Sequence, residues 1–178
     1  PKCLAPIHGR PFVDHFLDRC IEQGARRFVF CLGHLVEQVV EHLRQRDDCH
    51  IVFSVEDRAL GTGGAICHAR DLILSDDFYV MNGDTIVTGN YSEAYLYHQE
   101  KHSWATIAGA RVEVQKGGVE YGYIEADAEG RIRHFREKSC RVEESPIWVN
   151  SGLCVFNKNI FSLFPSTSPF SLETDVFE

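Results

Sequence analysis

Apolar residues at Phe12, Val13, Phe16, Leu17, Cys20 and Ile21 fall on one helical stripe. Pro11 suits a first helical position and Gly24 a stop, so the pattern predicts a helix between them. Arg27-Phe28-Val29-Phe30-Cys31-Leu32 is a nearly continuous apolar run, which suits a strand buried on both faces. Helical spacing returns over Leu35 to Arg46, and Ile51 to Val55 predicts the next strand. A glycine-rich turn at Gly61 to Gly64 leads into a helix running from Ala65 to Leu74. Phe78-Tyr79-Val80-Met81 predicts a third buried strand, with Asn82-Gly83-Asp84 at its end. Three alternations of helix and strand predict an α/β fold with a mostly parallel central sheet and helices on both faces. Ligands bind such sheets beyond the carboxyl ends of the strands. Gly33, Glu56-Asp57 and Gly83-Asp84 all occupy such ends.

The second half changes character. A helix near Ser92 to His102 precedes four strand patterns, at Ala105–Val112, Tyr123–Ala126, Ile132–Glu137 and Trp148–Phe156. Ala128 to Arg131 reads as a turn between two of them. These strands predict an antiparallel extension of the sheet. His98 and His102 are four apart, but with no third ligand in view they read as an exposed polar helix face. Phe12, Phe16, Phe28 and Phe30 read as core.

A length of 178 residues fits one domain with a sizeable core. No apolar run approaches the roughly 20 residues that span a bilayer, so no membrane partner is expected. Net charge is −8 and the densest basic run, Arg131 to Lys138, is interrupted, which argues against a nucleic-acid partner. The seven cysteines are widely spaced with no Cys-x-x-Cys pair, so neither a zinc site nor a disulfide framework is expected. Cys20, Cys31 and Cys154 read as small buried hydrophobes. This usage fits a reducing cytoplasm. The chain opens on Pro1 and closes on Glu178 inside a helix start, so residues 1–178 read as a single domain cut at both ends. Oligomeric state is not readable, and a homo-oligomer is allowed.

Four short segments carry chemistry. Pro1-Lys2-x-Leu4-x-Pro6 places an ammonium in a loop fixed by prolines, a partner for phosphate oxygens. Leu60-Gly61-Thr62-Gly63-Gly64-Ala65 precedes a helix, and its glycines let backbone amides approach a ligand. No Gly-Lys-Ser/Thr follows, so it is not a Walker loop. Asp84 at a buried strand end suits Mg²⁺, a hard ion that prefers oxygen ligands and phosphates. Glu137-Lys138 ends a strand, preceded by Tyr121-Gly122 and followed by Asn150-Ser151-Gly152. Taken singly, each has a plainer reading: a solvated lysine, a common turn, an Asx turn or helix cap, an ordinary strand end.

Taken in order, the six motifs resemble the sugar-1-phosphate nucleotidyltransferase family over nearly the whole chain. The resemblance implies a Rossmann-like nucleotide-binding fold. It also implies transfer of a nucleotidyl group from a nucleoside triphosphate to a sugar 1-phosphate, with Mg²⁺ as cofactor and pyrophosphate released. By the same matching, Lys2, Asp84 and Lys138 are the catalytic groups and Asp84 the metal ligand. Gly61, Thr62, Gly63 and Gly64 meet the nucleotide. Gly122, Glu137 and Asn150 line the sugar pocket, where Lys138 holds the sugar phosphate. Cys3 and Ser139 stand where many relatives carry proline, with minor effect expected. A Gly-rich phosphate loop before the Pro-Lys motif and a later metal-binding Asp are also implied, so this chain alone is expected to turn over weakly.

Glu56 matches the position that meets the base edge. Guanine offers two adjacent donors to a carboxylate, whereas uracil and thymine present carbonyls beside a single N–H. GTP is therefore the favoured nucleotide, and the likeness is greatest to the branch that guanylylates manno-heptose or mannose 1-phosphate. A catalytically inactive regulatory homologue that binds nucleotide sugar stays as the alternative, as does a nucleotide-binding scaffold without Mg²⁺ chemistry.

Overall fold

The structure, a computed structural model, describes residues 1–113, 123–136 and 146–177. Two short antiparallel strands, β1 (Pro6–Ile7) and β2 (Arg10–Pro11), form a hairpin ahead of the first helix, α1 (Phe12–Glu22). Val13, Phe16, Leu17 and Cys20 carry the stripe of α1 into the core, none more than 7% exposed. Burying such a side chain stabilises the fold by roughly 1.5–3 kcal/mol. Gly24 takes φ +96° just after α1, a conformation glycine adopts without steric cost.

β3 (Arg27–Leu32) and β4 (His50–Val55) pair in parallel, from Arg27↔His50 to Leu32↔Val55. The helix between them, α2 (Val36–Leu43), is shorter at both ends than its apolar spacing predicts. Leu35 sits in the left-handed region at φ 53°, which an interior helical residue does not adopt. At the other end Arg46 leaves the helix for Asp18 at 2.7 Å and Asp48 at 2.6 Å. α1, α2 and the apolar residues of β3 and β4 share one core cluster with Leu153 and Tyr91.

α3 (Gly61–His68) leads through a 3₁₀ turn at Arg70–Leu72 to β5 (Asp77–Met81). α4 (Tyr91–Glu100) is capped by Asn90, whose Oδ1 accepts from the Ser92 and Glu93 amides. The remaining strands are β6 (Ala105–Val112), β7 (Tyr123–Ala126), β8 (Ile132–Arg136) and β9 (Ile147–Asn157). β9 is the spine of this sheet. One edge pairs antiparallel with β6, and the other is shared by β5 and β7. Leu153, Cys154, Val155 and Phe156 are accordingly buried on both faces. The architecture is the expected mixed α/β one, with a parallel pair, helices and an antiparallel extension. The extension also takes in β5, which pairs with β9. Among the described residues, the other edges of β3 and β5 carry no strand. No described helix is long and apolar enough to cross a membrane.

Two sequence expectations are corrected. His98 is not on an exposed polar face; it is 2% exposed. Its Nδ1 lies 2.9 Å from the Thr106 hydroxyl, and its Nε2 lies 3.6 Å from Asp77 Oδ1. α4 therefore turns this residue toward β5 and β6. Cys31 is exposed, whereas Cys20 and Cys154 are buried as expected. Burial pushes their thiols up to about 11 and about 12, so neither is a ready nucleophile at neutral pH.

Asp77 ties three elements together. It accepts from Asn157 Nδ2 at 2.7 Å and from Gln99 Nε2 at 3.0 Å. The Asn157 amide, foremost, with Gln99 and the His98 ring, holds its carboxyl below the usual range against the opposing effect of burial. A depressed folded-state pKa contributes stability above the unfolded pKa, and that contribution disappears as pH falls through the folded value. Asp77→Asn is therefore expected to lower urea-unfolding stability at pH 7. The gap to the unaltered chain should close as pH falls below about 4. A gap of constant size across that range would show that the charge of Asp77 is not what stabilises the junction.

Candidate active site

The parallel register of β3 and β4 sets Gly33 beside Glu56. Strand pairing continues one step past Val55, where the Glu56 amide donates to Leu32 O at 2.8 Å. A Cβ built on Gly33 would stand 3.5 Å from Glu56 Oε2. That same oxygen accepts from the Leu60 amide at 3.1 Å. No described residue donates to Oε1. Glu56 is thus half-buried and anchored, with one carboxylate oxygen available to an incoming N–H.

A second junction forms where β5 and β9 end together. The ladder reaches Met81↔Leu153, and the Asn82 amide then donates to Gly152 O at 3.0 Å. The Gly152 amide donates to Asn150 Oδ1 at 2.9 Å. Gly152 has φ +85°, and a Cβ there would lie 2.8 Å from Asn82 Nδ2. Two motifs distant in sequence, Asn82-Gly83-Asp84 and Asn150-Ser151-Gly152, are in this way locked side by side. Asn150 faces Gly109 across the β6 ladder. The Ser151 hydroxyl is buried with no hydrogen-bond partner among the described residues. Asp84 is exposed, and its Oδ1 accepts from the Thr85 hydroxyl at 3.3 Å.

The loop after Asp84 is held by residues that the sequence did not single out. Arg19 of α1 donates to Thr88 O at 2.9 Å and Gly89 O at 3.0 Å. Its guanidinium lies 5.7 Å from the Tyr91 ring centroid. The Tyr91 hydroxyl donates to Val87 O, and its amide donates to Gln23 Oε1, both at 3.0 Å. Arg19 and Gln23 were missed because one lies on, and the other directly after, a helix already explained by its apolar stripe. An open cleft of about 370 Å³ lies here, lined by Arg19, Glu22, Gln23, Asn90 and Ser92, and none of the expected site residues lines it.

Lys2 is exposed on a 3₁₀ turn, Lys2–Leu4. The next residues, Cys3 and Leu4, pack on the same core cluster as Met81 and Val87, which flank Asp84. No ion pair joins Lys2 to Asp84. Gly122, Glu137 and Lys138 lie outside the described residues. The strands that flank them, β7 and β8, pair through Tyr123↔Arg136, and Tyr123 also pairs with Val149, next to Asn150.

The glycine-rich segment is different from its sequence reading. It is not a turn ahead of a helix but the first turn of α3 itself. The amides of Gly63 and Gly64 donate to Phe170 O at 3.1 and 3.3 Å. Thr62 Oγ1 donates to Glu173 Oε2 at 2.8 Å and accepts from the Leu172 amide at 2.9 Å. These groups are therefore already satisfied from within the chain. A Cβ on Gly61 would collide with Phe170 O, and one on Gly63 with the Phe170 ring. The glycines answer to this packing, and of the segment only Gly61 and the exposed backbone around Thr62 keep amides for a ligand.

Among the described residues no group of three His, Cys, Asp or Glu side chains could hold an ion on its own. A single exposed carboxylate suits Mg²⁺, which keeps several waters and is completed by substrate phosphates.

A profile of the family described as nucleotidyl transferase matches residues 1–175. The chain is 26% identical, over 99% of its length, to mannose-1-phosphate guanylyltransferase catalytic subunit beta of Drosophila pseudoobscura pseudoobscura, of which it covers 47%. It is 27% identical, again over 99% of its length, to UTP–glucose-1-phosphate uridylyltransferase of Synechocystis sp., covering 49% of that protein. The structure of HddC from Yersinia pseudotuberculosis complexed with GMP-PN matches with a TM-score of 0.83 at 26% identity, covering 99% of this chain and 75% of that one. The chain spans about half the length of the curated relatives it matches.

The junction between the two motifs should be sensitive at one glycine. Gly152→Ala forces a side chain into a left-handed position against Asn82 and is expected to cost about 1–3 kcal/mol in urea unfolding. Gly83→Ala meets nothing within 4 Å and should stay within about 0.5 kcal/mol of the unaltered chain. Equal losses at the two glycines would mean that the junction is not what Gly152 serves.

Proposed function

This chain belongs to the nucleotidyl transferase family, and from that membership we propose that it transfers a guanylyl group from GTP to a sugar 1-phosphate, releasing pyrophosphate. The observation that carries the reading is the locking of Asn82–Asp84 against Asn150–Gly152 at the shared end of β5 and β9. That junction joins the segment that carries the proposed cation-binding carboxylate, Asp84, to the segment that carries the proposed sugar-binding amide, Asn150, which supports the reading.

In this reading Lys2 stands by the α-phosphate and neutralises charge that builds as the sugar phosphate oxygen attacks in line. Its turn is packed on the core cluster through Cys3 and Leu4, which fixes the backbone from which the ammonium reaches. Catalysis of this kind is mostly positioning and charge stabilisation. Mg²⁺, when held by Asp84, supplies further neutralisation of the phosphate oxygens. Asn150 orients the sugar. Gly122, Glu137 and Lys138 keep the sugar-pocket roles expected from their motifs, with Lys138 on the sugar phosphate. A cytoplasmic enzyme acting on mannose or manno-heptose 1-phosphate fits this chemistry.

Glu56 supports guanine over uracil. Its Oε2 accepts from the Leu60 amide, which aims the carboxylate, while Oε1 and the second lone pair of Oε2 remain to accept from the two adjacent guanine donors. Relatives named for guanylyl and for uridylyl transfer match at similar identity, so overall similarity does not choose the base, and the choice of guanine rests on the chemistry of the Glu56 carboxylate.

Equilibrium titration of the chain with GTP, with and without Mg²⁺, tests both roles. Asp84→Ala is expected to weaken Mg²⁺-dependent GTP binding by about tenfold or more. Glu56→Gln should cut the preference for GTP over UTP by about tenfold, the scale of one good carboxylate–base pair. Retention of Mg²⁺ dependence by Asp84→Ala would remove Asp84 from the site. A GTP/UTP ratio untouched by Glu56→Gln would remove guanine reading from Glu56.

A further inference from the structure

We propose that Phe170–Glu173 is a strap that sets the position of the Glu56–Thr62 segment, and that Phe170, Thr62 and Glu173 are positioning residues for nucleotide binding. The inference rests on the proposed nucleotide reading of Glu56 and adds to it what holds that carboxylate in place.

The first turn of a helix leaves amides that need acceptors. At α3 the residue in the capping position is Leu60, which offers no side-chain acceptor. The Phe170 carbonyl does that work instead, accepting from both Gly63 and Gly64. The Phe170 amide returns a bond to Leu60 O at 3.0 Å. Leu60 in turn donates its own amide to Glu56 Oε2. One residue, Leu60, therefore links the strap to the carboxylate that would read the base.

Two of the three glycines follow from the same contact, and the third from its neighbours. Side chains at Gly61 and Gly63 would strike Phe170, and a Cβ on Gly64 would lie 3.0 Å from Ser168 Oγ. A polar clasp closes the strap. Glu173 Oε2 accepts from the hydroxyls of Thr62 and Ser171, each at 2.8 Å. The Leu172 amide donates to Thr62 Oγ1.

The other side of the strap is anchored in aromatic packing. Phe170 meets Phe164 at 5.3 Å, Phe164 meets Phe161 at 5.2 Å, and Phe161 stacks on Phe78 at 5.9 Å. Phe78 lies on β5, the strand that ends at Asn82–Asp84. The column thus references the Glu56 segment to the strand that carries Asp84, which is the alignment a bound nucleotide needs between base and phosphates.

The test uses the whole chain, with GTP and mannose 1-phosphate as probes and amide hydrogen exchange at Gly63 and Gly64. Glu173→Ala should raise the GTP Kd about tenfold, the scale of losing hydrogen bonds to a charged group. Mannose 1-phosphate affinity should hold, and both glycine amides should exchange faster. Glu173→Gln keeps an accepting oxygen and should recover most of the GTP affinity. Equal weakening of GTP and mannose 1-phosphate would overturn the proposal, because it would mark a general loss of structure. Faster exchange with unchanged GTP affinity would overturn it too, as would unchanged exchange. Failure of the unaltered chain to bind GTP would instead overturn the reading of Glu56, and this proposal with it.

Discussion

The hydrogen bonding of β9 on both edges is what the arrangement depends on. A strand with one free edge could accept β6 or β5, but not both. With both edges occupied, β5 is fixed in register, and its terminal Asn82 meets Gly152. The segments Asn82–Asp84 and Asn150–Gly152 then lie side by side in a fold where nothing in the chain order requires it. The continuous run Leu153-Cys154-Val155-Phe156 makes this affordable, because it buries both faces of the strand and leaves no polar side chain to satisfy.

Local spacing made most elements legible. α1, β3, β4 and the strands of the second half fall close to where apolar periodicity puts them, because each buries the face that its pattern defines. Pairing was less legible. Phe78 to Met81 reads as a buried strand whatever its neighbour is, so the antiparallel ladder to β9 leaves no mark in the sequence of β5. His98 shows the same limit. Its spacing from His102 suggests a solvated face, but what decides its burial is the meeting of α4 with Thr106 and Asp77.

The glycine-rich segment is the sharpest example at the candidate site. Glycine is required wherever backbone or ligand must come close, and the sequence does not say which. Here the close partner is Phe170, which comes from far along the chain. A motif that resembles a ligand cradle is, in large part, a cradle for the protein's own backbone. Arg19 and Gln23 were hidden for the opposite reason. Their helix already had an explanation, and their bonds go to the backbone of a loop whose proximity only tertiary structure reveals.

These observations bear on how a weakly enclosed site keeps its geometry. Glu56 stands on the parallel pair, and Asp84 stands on the mixed sheet. Among the described residues no ladder joins the two sheets. Their relative position is therefore carried by side chains: the core cluster shared by Phe30, Leu32 and Met81, and the aromatic column that ends at Phe170. Close-packed apolar contacts transmit position well because cores tolerate little change in volume. Such contacts are also less directional than backbone bonds. The finer aiming is left to a few hydrogen bonds at the rim, at Leu60 and at Gly152, where the backbone N–H and C=O of one residue connect the Glu56 carboxylate and the Asn150 amide to neighbouring segments.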